Sequence, residues 1–243
     1  QAVENYVETY HKIDQLYRQY SYHAVQGRQA TLLDELTDEI ERRYSNQFLL
    51  QLNDRFQSLL DEELSWPIEG LDYQRNFFTK HVRPFLQKGN KLFVVISDAL
   101  RFEAAEELHK RILKEDKFRS KIDYQLGVLP SYTQLGMSAL LPHDELEIKT
   151  ENAEVLVDGK RTVGLAARKK ILADSGHKAT AIKAQEFLAM NSKEEGRDLS
   201  KDHDLIYIYH NGIDATGDKT ETEGQTFEAV EREFNTLLDV IKK

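Results

Sequence analysis

Cysteine is absent from the 243 residues, which excludes disulfide bonds and thiolate metal sites and makes the cytoplasm the expected location. Long apolar runs are missing as well. The longest is Leu92-Phe93-Val94-Val95-Ile96, far short of the roughly 18–20 residues that a membrane helix needs. No basic-flanked apolar stretch follows Gln1, so nothing reads as a secretory signal. Basic residues are in deficit, 33 against 42 acidic ones. That balance argues against a protein governed by nonspecific nucleic-acid binding, while leaving room for a phosphate ester or nucleotide held by a local site. What is present is enough apolar matter, 40% of the chain, to build the core of one large domain or two small ones. The chain opens without Met and stops at Lys243 inside a helical pattern of Phe227, Val230, Phe234, Leu237, Leu238 and Ile241. It is therefore expected to be a piece of a longer polypeptide, with its active site left incomplete.

Glycine is scarce in one part only. Three of the 12 glycines precede residue 90, and neither Gly nor Pro occurs from Arg28 to Trp66, where good helix formers dominate. Val3, Tyr6, Tyr10, Ile13, Tyr17 and Tyr20 recur at steps of three and four and make one helical stripe. Leu33, Leu36 and Ile40, then Leu49, Leu52, Phe56 and Leu59, continue the pattern around an expected break at Ser45-Asn46. Leu71 to Leu86 reads as a further helix, so residues 1–88 form a helical region. A tyrosine stripe can serve as a stacking platform for nucleic-acid bases. At this spacing, and with a net charge of −4 over residues 1–90, it reads as helix packing.

After Gly89 the pattern changes to strands alternating with helices. Leu92–Ile96 and Leu205–Tyr209 are apolar without a break, the mark of strands buried on both faces, and they are expected to be parallel neighbours in the sheet interior. Ile122–Leu129 and His177–Ile182 read as further strands, and Asp158-Gly159 as a hairpin turn. Helices are expected over Ala99–Lys114, Ser131–Leu141, Gly164–Asp174, Gln185–Met190 and from Phe227 onward. Such alternation specifies an α/β domain with a largely parallel sheet.

Ligands of open α/β sheets bind beyond the carboxyl ends of the strands. The first strand ends in Ser97-Asp98-Ala99-Leu100-Arg101, the second leads into Pro130-Ser131-Tyr132-Thr133, and the last delivers His210-Asn211-Gly212-Ile213-Asp214-Ala215-Thr216-Gly217-Asp218. Converging carboxylates make a hard-oxygen site for a divalent metal, and a metal beside a hydroxyl makes it a nucleophile at neutral pH. The same residues also serve as helix caps and turn formers. Competing enzyme classes fail on spacing. A haloacid-dehalogenase-type phosphatase needs a second Asp where Leu100 stands, and neither GxxxxGK[ST], GxGxxG nor GxSxG occurs.

The segments Val94–Glu103, Leu129–Met137 and Tyr207–Lys219 closely resemble the PglZ family, the phosphatase of the type 1 bacteriophage exclusion (BREX) system and a member of the alkaline phosphatase superfamily. The resemblance covers residues 65–243. It implies an alkaline-phosphatase-like, largely parallel sheet flanked by helices over 89–243, truncated at its C-terminus and preceded by the helical region 1–88. It also implies a metal-dependent phosphatase or phosphodiesterase in the full-length protein, with two divalent ions. Zn is expected, and Mn or Mg also fit. By the same resemblance Thr133 is the nucleophile and Asp98, Asp214 and Asp218 are metal ligands. Related phosphodiesterases carry Asp-x-x-Gly-His where this chain has Asp214-Ala215-Thr216-Gly217-Asp218, so an Asp replaces the usual His. The Asp-His-Gly-Phe motif that supplies a later ligand pair is not found before Lys243, so half a metal site and an inactive piece are expected. His210 stays off the ligand set, either as a partner behind the metal site or as a hydrogen-bonded loop residue. Arg101 either orients a phosphate or forms a structural ion pair. The implied partners are the other BREX components and a phosphoester substrate, nucleic acid among the candidates, with no membrane. The alternative is a phosphatase-like assembly module that works through protein contacts without turnover.

Overall fold

Leu205–His210 (β6) is a strand in which all six side chains are buried, and its unbroken apolar run places it at the centre of a sheet. A computed structural model describes residues 2–27, 30–62, 70–218 and 225–243. In it β6 lies between Leu92–Ser97 (β1) and Ala179–Lys183 (β5), all parallel, in the order β1-β6-β5. The register pairs Leu92 with Leu205 and Ser97 with His210 on one side of β6, and Ala179 with Leu205 on the other. Alternate residues face opposite ways along a strand, and two apolar layers result. Leu205, Tyr207 and Tyr209 join Val94, Ile96, Ala179, Ala181, Met137 and Leu172. Ile206 and Ile208 join Ile182, Phe187 and Val240 of the last helix, Thr226–Lys242. Burying each large aliphatic side chain of this kind contributes about 1.5–3 kcal/mol. The protein is thus α/β, with a parallel sheet flanked by helices and a helical region at the N-terminus.

The chain divides into two compact units. The sheet belongs to the unit made of Gly70–Ala99, Gln125–Ala215 and Glu233–Lys243. A second, antiparallel sheet in that unit joins Leu146–Ile148 (β2), Val155–Val157 (β3) and Lys160–Arg161 (β4). The β3–β4 turn is Asp158-Gly159, with φ of 47° and 73°, the left-handed pair that a two-residue hairpin requires. The unit also holds the helical turns Gln74–Asn76, Phe78–Val82 and Arg83–Gln87 and the helices Thr133–Ala139, Gly164–Ala173, Ala184–Ala189 and Glu195–Asp202.

The other unit comprises Gln1–Glu69, Leu100–Tyr124 and Thr216–Arg232. Its first helix runs on through His11–Gln26, and its second from Ala30 to Glu62 through a π-helical stretch, Arg43–Leu49. The break expected at Ser45-Asn46 is this widened turn, which absorbs the irregularity without ending the helix. The tyrosine stripe packs only in part: Tyr17 stacks on Tyr44 at 3.7 Å between ring centroids and Tyr10 meets Phe48 edge-on, but Tyr10 and Ile13 are exposed, and the buried residues of His11–Gln26 are His11, Asp14 and Arg18. Where His11–Gln26 packs on Phe102–Leu113, the fully buried Arg18 donates to Glu103 at 3.0 Å, Glu107 at 2.5 Å and Glu231 at 2.6 Å.

Three expectations need correction. Ile122–Leu129 is not a ladder strand: it makes one isolated bridge, Tyr73 with Leu126, because its extended backbone finds only Asp72 and Gln74 as partners. β1 pairs with β6 but stands at the margin of the described sheet, with Phe93 42% exposed, so interior placement holds for β6 alone. The helix expected from Ala99 begins at Phe102, since Ala99 takes a left-handed φ of 61° that no α-helix contains. Among the described residues no helix is long and apolar enough to cross a membrane.

Candidate active site at the strand ends

Parallel strands end on the same side of a sheet, so β1 and β6 deliver their following residues together. The ladder continues one step past β1: the Asp98 N–H donates to the His210 carbonyl at 2.9 Å. Asp98 is half-buried, and its carboxylate accepts the Ala99 N–H at 3.1 Å. The left-handed Ala99 turns the chain sharply after that carboxylate. A non-glycine residue held there costs about 1–2 kcal/mol, and strain of this kind gathers at functional sites.

His210 is the polar terminus of an otherwise apolar strand and is 1% exposed. Its Nδ1 lies 2.9 Å from the Ser97 hydroxyl, its register partner on β1, and its Nε2 lies 2.9 Å from Oε2 of Glu233. Both ring nitrogens are therefore within hydrogen-bond distance of a partner, the Ser97 hydroxyl on one edge and the Glu233 carboxylate on the other. Beyond His210 the chain turns through Gly212 to Asp214, which opens the single helical turn Asp214–Gly217, with Ala215 N–H donating to Asn211 at 3.1 Å. Asp214 is half-buried and Asp218, just after the turn, is exposed.

Thr133 is the first residue of helix Thr133–Ala139 and is exposed. The helix is anchored from below by buried Leu135, Met137 and Ala139. Its Ser138 hydroxyl lies 2.9 Å from the buried Thr162 hydroxyl, which donates to the Val155 carbonyl at 3.0 Å. Gln134 donates to the same Thr162 oxygen at 2.8 Å. At the end of β6, burial pushes the Tyr209 phenol up to about 12, so it stays protonated at neutral pH.

The ladder therefore links Asp98 to the strand that leads into Asp214. Among the described residues, however, no three His, Asp or Glu side chains gather as a group fit to hold a metal ion. In the other unit, Lys110 pairs with Glu106 at 2.8 Å, Arg111 with Glu107 at 2.5 Å and with Glu231 at 2.7 Å, and Lys121 with Asp123 at 3.0 Å.

The family model described as the BREX system PglZ alkaline phosphatase-like domain matches residues 77–243. This chain belongs to the PglZ family. It is 42% identical over 246 residues to the alkaline phosphatase-like protein BrxZ of Escherichia coli O9:H4 (strain HS), an alignment that covers 98% of this chain and 28% of that protein. It is 38% identical over 237 residues to the alkaline phosphatase-like protein PglZ of Bacillus cereus (strain H3081.97), covering 97% of this chain and 27% of that one. The chain thus spans between a quarter and a third of these relatives' length. All three strand-end segments lie inside the region matched by the PglZ model.

Glu233 escaped the sequence reading. It stands 23 residues beyond His210, outside every strand-end segment. One signal was available. Ala229, Val230, Phe234, Leu237 and Val240 are the buried face of the last helix, and Glu233 falls on that face. A carboxylate on an apolar stripe needs a partner, and His210 supplies it.

Proposed function

We propose that this chain is the metal-dependent phosphoester hydrolase domain of a bacteriophage-exclusion defence protein acting in the cytoplasm. Thr133 is its nucleophile, and Asp98, Asp214 and Asp218 hold divalent ions, Zn first and Mn or Mg as alternatives. The observation that carries this reading is the hydrogen bond from the Asp98 N–H to the His210 carbonyl, which ties the strand end bearing Asp98 to the strand leading into Asp214. The donor chemistry fits, since carboxylate and hydroxyl oxygens suit hard divalent cations. The described residues gather no group of three ligands, so a complete two-ion site would need donors besides Asp98, Asp214 and Asp218. When bound, the ions supply charge that stabilises the phosphoryl oxygens and favours an ionised hydroxyl. The chain's own part is to present the Thr133 Oγ, which forms a bond to phosphorus as the ester oxygen leaves, and to hold Asp98 and Asp214 on fixed turns. The substrate is a phosphomonoester or phosphodiester, nucleic acid included, and the partners are the other components of the defence system.

Thr133→Ala in the full-length polypeptide tests the assignment. Turnover of an aryl phosphate and of an aryl phosphodiester is expected to fall to background, while folding changes by at most about 1–2 kcal/mol. Retained turnover removes Thr133 from the role. A second reading, a phosphatase-like assembly module without turnover, draws on the absence of a three-ligand group among the described residues. Full-length protein that binds its defence partners but hydrolyses neither substrate, even with metal added, favours that reading.

A further inference from the structure

We propose that His210 and Glu233 form a clamp that positions the two ligand-bearing turns, with Glu233 as the residue that sets it. His210 touches both sides. Its carbonyl accepts the Asp98 N–H at 2.9 Å, its Nδ1 meets Ser97, the residue before Asp98, at 2.9 Å, and its own backbone leads into the loop that carries Asp214. Glu233 fixes the ring from the other edge at 2.9 Å. It does more than hold the ring. A Cβ placed on Gly212 would lie 2.7 Å from both Glu233 carboxylate oxygens, closer than atoms in van der Waals contact approach, so the carboxylate sits in the space that glycine leaves open. Glu233 therefore presses on the Asn211–Asp214 turn directly and on Asp98 through His210. The pair is buried, His210 at 1% and Glu233 at 9% exposure, where losing a polar partner is costly. Such partners behind a metal ligand orient it without touching the metal. The catalytic consequence rests on the hydrolase reading above, whereas the clamp itself does not.

The test has two arms. The first reads amide hydrogen exchange of Asp98 and Ala215 without added metal. Both should exchange at least about tenfold faster in Glu233→Ala and in Gly212→Ala, while Ile182 and Ile208 in the sheet keep their protection. Glu233→Gln, which keeps a hydrogen-bonding group of the same size facing His210 Nε2, should stay near wild type. The double variant Gly212→Ala/Glu233→Ala should be no worse than Glu233→Ala alone, because the added methyl then meets no carboxylate. Unchanged Asp98 and Ala215 exchange in Glu233→Ala, or losses that add in the double variant, would overturn the clamp. The second arm uses the full-length polypeptide, with Mn or Zn titration and steady-state turnover of an aryl phosphate. Glu233→Ala should lose about 10–100-fold in metal affinity and kcat, with KM little changed and recovery in Glu233→Gln. Wild-type protein that binds no divalent ion overturns the hydrolase reading, and the exchange arm still decides the clamp on its own.

Discussion

Arg18 has no exposed side chain and faces three carboxylates, Glu103, Glu107 and Glu231. Burial pushes the Glu103 carboxyl up, and the charge and hydrogen bonds of Arg18 pull it back only in part. Replacing Arg18 by Met would strand that carboxylate, and the loss should be about 3–5 kcal/mol at neutral pH. A raised carboxyl contributes stability below its unfolded value and loses it as pH rises through the folded one. The damage from Arg18→Met should therefore be smaller near pH 5 than at pH 7, and Arg18→Met/Glu103→Gln should recover much of it, as read by urea unfolding. Asp72 works the other way. Burial alone raises it, but hydrogen bonds from Lys80, His81 and Gln125 together hold it well below its ordinary 3.8. A depressed carboxyl stabilises above the unfolded value, and that stability drains as pH falls from about 4 toward the folded value. Asp72→Asn should flatten this part of the acid-unfolding curve. It should cost about 1.5–3 kcal/mol at neutral pH, the range for hydrogen bonds to a charged group.

Elements were legible wherever a local pattern forced one answer. β1 and β6 could be read as parallel neighbours because runs such as Leu205-Ile206-Tyr207-Ile208-Tyr209 need cover on both faces. The β3–β4 hairpin followed from Asp158-Gly159, and both residues take the required left-handed φ. Asp158 has a further duty, accepting the N–H groups of Asp144 and Glu145 at 3.0 and 2.8 Å. Gly159→Val should thus cost about 1–2 kcal/mol from the forced left-handed backbone alone, and Asp158→Ala should add the loss of two charge-assisted hydrogen bonds. Thermal unfolding of both variants checks the order, with Asp158→Ala the lower in Tm. Ile122–Leu129 misled because an apolar stretch does not say whether a neighbouring strand will accept its backbone. β2, with three residues, is too short to carry a period. Helix Glu195–Asp202 has no buried residue and so left no apolar stripe to find. Of the candidate site, the strand-end residues were visible and the Glu233 contact was not, because pairing across 23 residues is a property of the packed helix and not of any motif.

At the scale of the whole molecule, the number of ligands in the proposed assignment sets what metal binding to expect. A structural zinc site has four protein ligands and a catalytic one three plus water, and two-metal sites place their ions roughly 3.5–4 Å apart. Such close cations each need several anionic donors. The described residues gather no set of three. Asp214 and Asp218 flank one helical turn, and Asp98 stands at the end of β1, so each ion would have at most two of these carboxylates and would fill its remaining positions with water. Carboxylates drawn together without enough cationic charge also repel one another, which raises the cost of assembling the site. On the proposed ligand assignment, residues 1–243 alone are expected to bind Zn or Mn weakly and to show negligible phosphoesterase activity, whereas a polypeptide of the relatives' length is expected to bind two ions and turn over. Calorimetric titration of both proteins with each metal makes the comparison. Tight binding of two ions by residues 1–243 would mean that side chains beyond Asp98, Asp214 and Asp218 complete the site within this chain, and the assignment of ligands would have to be rebuilt around them.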